Sequence, residues 1–389
     1  MSELRPIQVD LKKYTTVSKN DFLLDLRKIN ADDRQQLLMA GIDVEEGLRS
    51  GTYLQFDRDM VHCKSFQKGV EVCGIKDALK KYNGLPEYYF NLIDPDKDEY
   101  TRAVADDLHG GYFIHTQKGA KIANPVQTCM YIKKNDVSQN VHNIVVVEED
   151  SEVHIITGCT TSHGVRSALH LAVSEFYVKK GGKLTYTMVH DWGDEVMVRP
   201  RTVGVVEEDG IFLNNYILLH KVQSVQSYPT IYLNAPGAVA RFNSVIVTPE
   251  GSHVDSGSRI VLNAPDTRGE IISRTITTGG TIIARGEIVG NAVPARGHLE
   301  CKGLILGGGT IHAIPELQGN VNGVELSHEA AVGKIAQEEI EYLMARGLDE
   351  DEATSTIVRG FLNVDIMGLP EELRENIEKT ISENEKDMF

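Results

Sequence analysis

The stretches TIYLNAP (230–236) and RIVLNAP (259–265) repeat one pattern, in which a short apolar run is followed by Asn-Ala-Pro. Their asparagines, Asn234 and Asn263, lie 29 residues apart. A period of this length predicts a coil-by-coil repeat in which each turn contains a few short strands. The repeat favours a parallel β-helix over a β-sandwich, although a sandwich also agrees with the pattern.

Short runs rich in β-branched and aromatic residues continue on both sides of this repeat, from about 101 to 326. Gly, Asn, Asp and Pro separate the runs, as expected for turns between strands. We therefore predict a mainly β protein with a parallel β-helix core over 101–327. A mixed helix and strand region over 1–100 would precede the core, and a helical region over 328–389 would follow it.

The N-terminal region combines both kinds of pattern. Apolar residues have helical spacing in NDFLLDLRKI (20–29), ADDRQQLLMAGI (31–42), GIKDALKKY (74–82) and DKDEYTRAVADDLHGG (96–111). In contrast, GTYLQFDRDMVHC (51–63) alternates like a strand.

The C-terminal region has helical spacing throughout. HEAAVGKIAQEEIEYLMARG (328–347) predicts a helix that begins at a His-Glu pair and ends at Gly347. Asp349 and Glu352 have the spacing of a capping box for a second helix, and Pro370 suits the first turn of a third. The apolar faces of the three helices are Val332, Ile335, Ala336, Ile340, Leu343 and Met344; Ala353, Ile357, Val358 and Phe361; and Leu373, Ile377 and Ile381. Such faces either cover the β region or bind another protein.

Composition and charge disfavour several classes of partner for this chain of 389 residues. Fifty-six acidic residues against 40 basic ones give a formal net charge of −16, which repels nucleic-acid phosphates and anionic lipid. No apolar run approaches the roughly 18 residues of a transmembrane helix, and the N-terminus lacks the apolar core of a signal peptide. The five scattered cysteines then predict reduced thiols in the cytoplasm.

Common catalytic and nucleotide-binding motifs are absent from the sequence. It contains no G-x-x-x-x-G-K-[ST] loop, no G-x-G-x-x-G that opens a helix, no C-x-x-C and no G-x-S-x-G. P-loop, zinc-ribbon and hydrolase-triad chemistry are therefore excluded, and single thiols and imidazoles remain as candidates.

Cys301 and the pair His328-Glu329 are the strongest of these candidates. Twenty-seven residues separate Cys301 from His328, which is close to the period of the repeat, so we expect them on adjoining coils. Thiolate, imidazole and carboxylate together suit iron or zinc. The alternative is structural, with a buried thiol and a carboxylate that stabilises the first turn of a helix.

The chain resembles the SufB/SufD family of iron–sulfur cluster assembly scaffolds over about 35–375. The resembling stretches are GHLECKGLILG (297–307), VELSHEAAVGKI (324–335), RGLDEDEATSTIVRGF (346–361), VEEDSEVHIITGCTTS (147–162) and TYTMVHDWGDEV (185–196). The most specific of them follows the pattern R-G-L-x4-A-x3-I-V-x-G-F from Arg346 to Phe361.

This resemblance implies a right-handed parallel β-helix with helical ends, whose C-terminal part pairs with a second chain. The pair would be a homodimer or a SufB/SufD-type heterodimer. It also implies an ABC-type ATPase partner, SufC, which would account for the missing nucleotide loop. The residues expected to dock that partner are Arg346, Gly347, Leu348, Ala353, Ile357, Val358 and Phe361.

SufB-type members have a cysteine at the position of Cys301 and a His-Glu pair at the positions of His328 and Glu329, whereas SufD-type members generally have glycine after the histidine. The resemblance therefore implies a SufB-like chain that binds a transient [2Fe–2S] or [4Fe–4S] cluster through these three residues. Two features depart from the family. Ser327 stands where some SufB proteins have glutamate, and RPRTVGVVEEDG (199–210) lacks a cysteine that receives sulfur in some of them.

Two other functions stay open. A SufD-like structural partner would need no usable cysteine. A catalytic β-helix, such as a polysaccharide lyase or an acyltransferase, would need a charged groove or hexapeptide repeats, and the sequence contains no such repeats. We expect an assembly scaffold rather than an enzyme, with ATPase activity only in the partner subunit.

Overall fold

The two repeated stretches form neighbouring coils of a parallel β-solenoid of about eight turns. The structure is a computed structural model and describes residues 7–44 and 49–362. Its strands alternate between two sheets along the chain, so that one strand of each sheet makes up most coils. The predicted mainly β fold and its parallel coils are confirmed.

An asparagine ladder explains why the repeat is visible in the sequence. Asn263 Nδ2 donates a hydrogen bond to Asn234 Oδ1 at 2.8 Å. Asn291 and Asn320 continue the ladder on the next two coils, with distances of 2.7 and 2.6 Å. Because each side-chain amide pairs with the next, a residue that can both donate and accept is needed at the same place in every coil.

Ten strands of the described part of the chain form the first sheet. In spatial order they are β2 (Asp59–Ser65), β1 (Gly51–Phe56), β5 (Val126–Ile132), β7 (Glu152–Thr161), β9 (Lys183–Asp191), β11 (Ile211–Leu218), β14 (Val239–Thr248), β16 (Thr267–Thr277), β18 (Ala295–Ile305) and β20 (Glu325–Gly333). All neighbours in this order are parallel except the pair β1 and β2.

The second sheet faces the first across the core. Its strands are β3 (Val70–Gly74), β4 (Tyr112–Thr116), β6 (Val137–Val147), β8 (Ser167–Val178), β10 (Glu195–Val206), β12 (Ser224–Ser227), β13 (Thr230–Leu233), β15 (His253–Leu262), β17 (Thr281–Gly290) and β19 (Thr310–Gly319). β12 and β13 share one position in it, since both pair with β10 and β15.

Every second side chain of a strand points into the solenoid. On β16 and β18, Ile271 is in register with Leu299, and Ser273 is in register with Cys301. All four side chains are buried. Parallel pairing with a side-chain period of two stacks equivalent positions of successive coils, so one interior row of residues extends through many coils.

The N-terminal end of the solenoid differs from the coils in strand direction. The strand pairs β1–β2 and β3–β4 are antiparallel, and Leu23 N donates to Val61 O of β2. The described residues at this end of the chain form three α-helices: α1 (Ala31–Met39), α2 (Ile75–Lys81) and α3 (Glu99–Asp106). All three lie within stretches that were predicted to be helical.

The prediction of a helix over 20–29 is wrong, because only one 3-10 turn forms there, at Leu26–Lys28. Leu26 and Ile29 are buried in a cluster with residues of β1, β2 and β5, so contacts with the sheet determine the path of this segment. Solenoid strands also lie on both sides of the predicted limits at 101 and 327, since β1 and β20 belong to the first sheet.

The prediction that a helix begins at His328 is also wrong. β20 continues through Gly333 in parallel register with β18, so the His-Glu pair lies within a strand. The apolar residues have helical spacing, but backbone hydrogen bonds to the adjoining strand β18 stabilise a strand here instead. α4 (Gln337–Met344) and α5 (Glu350–Leu362) follow.

The turn between these helices has the predicted form. Gly347 has a φ of 102°, a left-handed conformation that favours glycine. Asp349 N donates to the Glu352 carboxylate, and Glu352 N donates to the Asp349 carboxylate, which is the predicted capping box. The third predicted helix, from Pro370, lies outside the described residues. No helix among the described residues combines the length and the apolar character needed to cross a membrane.

Candidate functional site

Cys301 lies on β18 and points into the solenoid. Its side chain is 2% exposed and belongs to the main core cluster. It is in register with Ser273 on one side and with Ala330, on the last coil, on the other. Burial raises the pKa of the Cys301 thiol to about 11, and the negative charge of Glu300 adds to this effect. The thiol is therefore protonated at neutral pH, and a metal ion would have to displace its proton.

His328 lies on the adjoining coil, as the spacing predicted. It is in register with Leu299 and so belongs to the interior side of β20, the same side as Cys301 on β18. The two residues differ by one coil and by two positions along the strand, which places their Cα atoms about 8 Å apart. His328 is exposed because β20 is the last strand of its sheet among the described residues.

Glu329 points away from the interior. It is in register with Glu300 on the outer side of the first sheet, because adjacent residues of a strand face opposite ways. Its Oε1 atom lies 3.1 Å from Lys302 Nζ. In the described part of the chain, no three His, Cys, Asp or Glu side chains are placed to hold a metal ion. The three predicted ligands are thus on neighbouring coils but do not converge, and their ligand role stays a prediction.

A network of charges surrounds Glu329 on the outer side of the sheet. Lys302 Nζ also lies 2.9 Å from Glu300 Oε1, and Arg274 Nη2 lies 2.5 Å from the same atom. Burial opposes the ionisation of Glu300, but the hydrogen bonds and charges of Lys302 and Arg274 outweigh it and lower the pKa of this carboxyl group. The Arg274 guanidinium lies 5.9 Å from the ring centre of Phe361 on α5.

The predicted docking stripe on α5 is largely internal. Ala353 and Val358 are buried. Val358 belongs to an apolar cluster with Val189, Ile217 and other outward-facing residues of the first sheet. Ala353 and Val358 are thus not exposed to a partner in this conformation, and the docking role of the stripe stays a prediction. Phe361 is partly buried against the same cluster, and Ile357 is partly buried.

The exposed side of the two helices carries other apolar residues. Tyr342 is 57% exposed and Met344 is 40% exposed. Leu343 and Ile357 line an open groove next to Tyr342, together with Glu338 and Glu339. Arg346 and Gly347 are exposed, and Leu348 is half-buried. Sequence periodicity placed Leu343 and Met344 on the apolar face but gave Tyr342 no role.

Cys159 lies in a polar part of the interior that the sequence did not reveal. It is in register with His190, whose Nδ1 atom is 3.1 Å from Tyr216 Oη. Trp192 is buried nearby, with its ring centre 5.5 Å from that of His190. Burial raises the pKa of the Cys159 thiol and lowers that of His190 to about 3. Both groups are therefore neutral at pH 7.

A row of hydroxyl groups leads from this region to Cys301. Tyr216, Ser244, Ser273 and Cys301 are in register on successive coils, and Ser244 Oγ donates to Ser273 Oγ at 3.0 Å. A cavity of about 50 Å³ lies beside Tyr216 and Ser244. The alternation of side chains within each strand is the signal that could have predicted this row from the sequence. It could be used only if the strand register of every coil were known.

Comparisons with known proteins agree with this architecture. A sequence model described as the SUF system FeS cluster assembly SufBD core domain matches residues 130–361. An iron–sulfur cluster assembly SufBD family protein of Archaeoglobus fulgidus is 53% identical over 92% of this chain and 96% of its own length. A protein of the same description from Methanothermobacter thermautotrophicus (strain Delta H) is 42% identical over 98% of this chain and 95% of its own. The iron–sulfur cluster assembly protein SufB of Bacillus subtilis is 30% identical over 85% and 73%, respectively. The chain therefore belongs to the SufB/SufD family of iron–sulfur cluster assembly proteins.

Proposed function

We propose that this chain is a SufB-like scaffold on which an iron–sulfur cluster is built between two chains that meet at the C-terminal end of the solenoid. The observation that carries the proposal is that the strand edges at the C-terminal end of the solenoid lie next to the predicted ligands. β19 and β20 are the last strands of their sheets among the described residues, and β20 adjoins Cys301 and contains His328. The proposed ligands therefore lie near this end of the solenoid.

Edge strands of this length invite pairing. Unpaired backbone N–H and C=O groups form a template for another strand, and soluble proteins usually cover such edges. Val321 and Val332 are exposed close to the edge, at 36% and 41%. A two-fold contact here would cover the backbone edges and these apolar side chains of both chains at once.

The chemistry of the ligands also favours a shared site. A cluster needs four protein ligands, and one chain offers at most Cys301, His328 and Glu329, since Ser327 adds no carboxylate. A two-fold interface doubles each of them. The cluster, [2Fe–2S] or [4Fe–4S], is the product that the scaffold must release, and imidazole and carboxylate bind iron less tightly than thiolate. The second chain is a further copy or a SufD-type relative.

An ATPase partner would act through the C-terminal helices. The sequence has no nucleotide loop, so we infer that a SufC-like ABC ATPase in the cytoplasm supplies ATP hydrolysis. Its docking surface would be the exposed side of α4 and α5, with Tyr342, Leu343, Met344 and Ile357, and the adjoining turn at 346–348. Tyrosine at the centre of a contact often contributes a large share of the binding energy.

Anaerobic reconstitution with iron and sulfide tests the scaffold role. Wild-type chain should hold a cluster with a defined visible and Mössbauer spectrum, and Cys301→Ser should not, because a hydroxyl is a harder and mostly protonated ligand. Cys129→Ser is the matched control, since Cys129 is equally buried but lies far along the solenoid. A Cys301→Ser protein with wild-type iron and sulfide content would refute the assignment. Wild-type chain that binds no cluster alone but pairs with a SufB-type relative would indicate the SufD-like function.

Sedimentation of the same samples tests the shared site. We expect dimers at micromolar concentration, and Val332→Asp should yield monomers that no longer retain a cluster. A cluster held by a monomer would contradict the interface assignment while leaving Cys301 as a ligand.

A further inference from the structure

Lys302 contacts two carboxylates that belong to different coils. Its Nζ atom lies 2.9 Å from Glu300 on its own strand and 3.1 Å from Glu329 on the last coil. The hydrogen bonds to Glu300 and Glu329, in that order, raise the pKa of Lys302, so the ammonium is charged at neutral pH. Lys302 adjoins Cys301 in the sequence but points to the opposite side of β18.

The ion pair with Lys302 holds the Glu329 carboxylate on the side of the sheet opposite to the Cys301 thiol. The Cys301 thiol is on the interior side of the sheet and the Glu329 carboxylate is on the outer side, where Lys302 neutralises it. Glu329 would have to leave Lys302 and turn round the edge strand before it could bind the same iron atom as Cys301. A carboxylate paired with an ammonium is also a weaker competitor for iron.

The same network reaches α5. Glu300 is shared by Lys302 and Arg274, whose side chains are 32% and 16% exposed, and Glu300 itself is 15% exposed. Arg274 in turn lies over the ring of Phe361. The Glu329 side chain is 58% exposed, so only the part of the network around Glu300 is sheltered. Several charges share the network, which is a situation in which ion pairs have measurable effects.

We propose that Lys302 is a positioning residue that holds Glu329 away from the cluster site, and that Glu300 and Arg274 connect this hold to helix α5. The proposal rests on the function proposed above and adds a regulated ligand to it. When Glu329 binds iron, Lys302 is left with Glu300 alone. When Lys302 recaptures Glu329, the cluster loses a ligand and is released more readily.

The test is the rate at which reconstituted full-length protein loses iron to an excess of a chelator. Lys302→Gln removes the ammonium that competes with iron for the Glu329 carboxylate. The free energy of an exposed ion pair of this kind corresponds to about a two- to fivefold change in the rate of iron loss. We expect iron loss to be slower by that factor. Lys302→Arg should restore the wild-type rate, because it keeps the charge. Lys183→Gln is the control, since Lys183 forms a similar pair with Glu152 across two coils at 2.8 Å, distant in sequence from Cys301.

Two double variants test whether Lys302 changes the rate of iron loss through Glu329 and whether Arg274 acts through Lys302. In a Glu329→Gln background, Lys302→Gln should change nothing, because the carboxylate for which Lys302 competes is gone. Arg274→Gln alone should also slow iron loss, since Lys302 then becomes the only cation for Glu300 and is drawn from Glu329. In the Lys302→Gln background, Arg274→Gln should have no further effect.

The outcomes separate this proposal from the scaffold function. If wild-type protein holds a Cys301-dependent cluster but Lys302→Gln loses iron at the wild-type rate or faster, the hold on Glu329 is refuted and the scaffold function stands. The hold is likewise refuted if Lys302→Gln has the same effect with and without the Glu329 carboxylate. If wild-type protein holds no cluster that depends on Cys301, both proposals fail.

Discussion

Acidification should destabilise the solenoid through two histidines inside it. His170 and His190 are each 3% exposed, and burial lowers the pKa of each to about 3. Both are neutral in the folded protein, where His170 Nδ1 lies 3.0 Å from Gln139 Oε1 and His190 Nδ1 lies 3.1 Å from Tyr216 Oη. In the unfolded chain, histidine takes up a proton with a pKa of about 6.5.

The sign of the effect follows from this difference. Between pH 6.5 and about 3 the unfolded chain binds more protons than the folded chain, so stability falls as the pH falls. Each histidine contributes up to about 1.4 kcal/mol per pH unit. For His170 and His190 together, the free energy of unfolding should drop by about 2.5 kcal/mol between pH 6 and pH 5, where the unfolded histidines are mostly protonated.

Urea denaturation at pH 6 and pH 5 measures this drop. His190→Gln keeps a side chain that can bond to Tyr216 but does not titrate, and it should reduce the drop by about 1.2 kcal/mol, the share of one histidine. His163→Gln, at an exposed position, should leave the drop unchanged. A wild-type drop that His190→Gln does not reduce would refute the reasoning and would mean that the interior admits the charged imidazole.

Three further changes test the packing of the coils and the helices. Val358→Ala removes two methyl groups from the contact between α5 and the first sheet, so we expect about 2 kcal/mol of lost protection in amide hydrogen exchange of α5, with the core strands unchanged. Tyr342→Asp should leave the thermal midpoint unchanged but weaken binding of the ATPase by at least about thirtyfold, and unchanged affinity would exclude this groove. Asn263→Ala breaks the amide ladder between Asn234 and Asn291, which should lower the free energy of unfolding by about 1 kcal/mol, measured by urea denaturation.

The repeat could be predicted from the sequence because successive coils place an asparagine at the same turn. Asn234 and Asn263 occupy the same turn of successive coils and bond to each other, so the pattern and the contact have one period. The same period correctly placed Cys301 and His328 on adjoining coils.

The sequence could not predict which residues of β20 face the interior of the solenoid and which face outward. Helical and strand patterns overlap in ELSHEAAVG (325–333), and only the edge of β18 decides between them. That decision separates His328 from Glu329, because neighbours on a strand face opposite ways. The stripe on α5 shows a related limit. Apolar spacing indicates that Val358 is buried, but it does not indicate whether the solenoid or another protein buries it.

The two ends of the solenoid differ in strand direction, and this difference bears on how chains could assemble. A head-to-tail stack would need a free edge at both ends, and repeated stacking of that kind produces filaments. Here the N-terminal end finishes in antiparallel strands, with Leu23 bonded to β2, while β19 and β20 lie at the other end. A chain stacked on the N-terminal end would meet strands that run opposite to the parallel coils, so the proposed contact between two chains is expected at the C-terminal ends. Such a pair would favour a closed dimer over a filament.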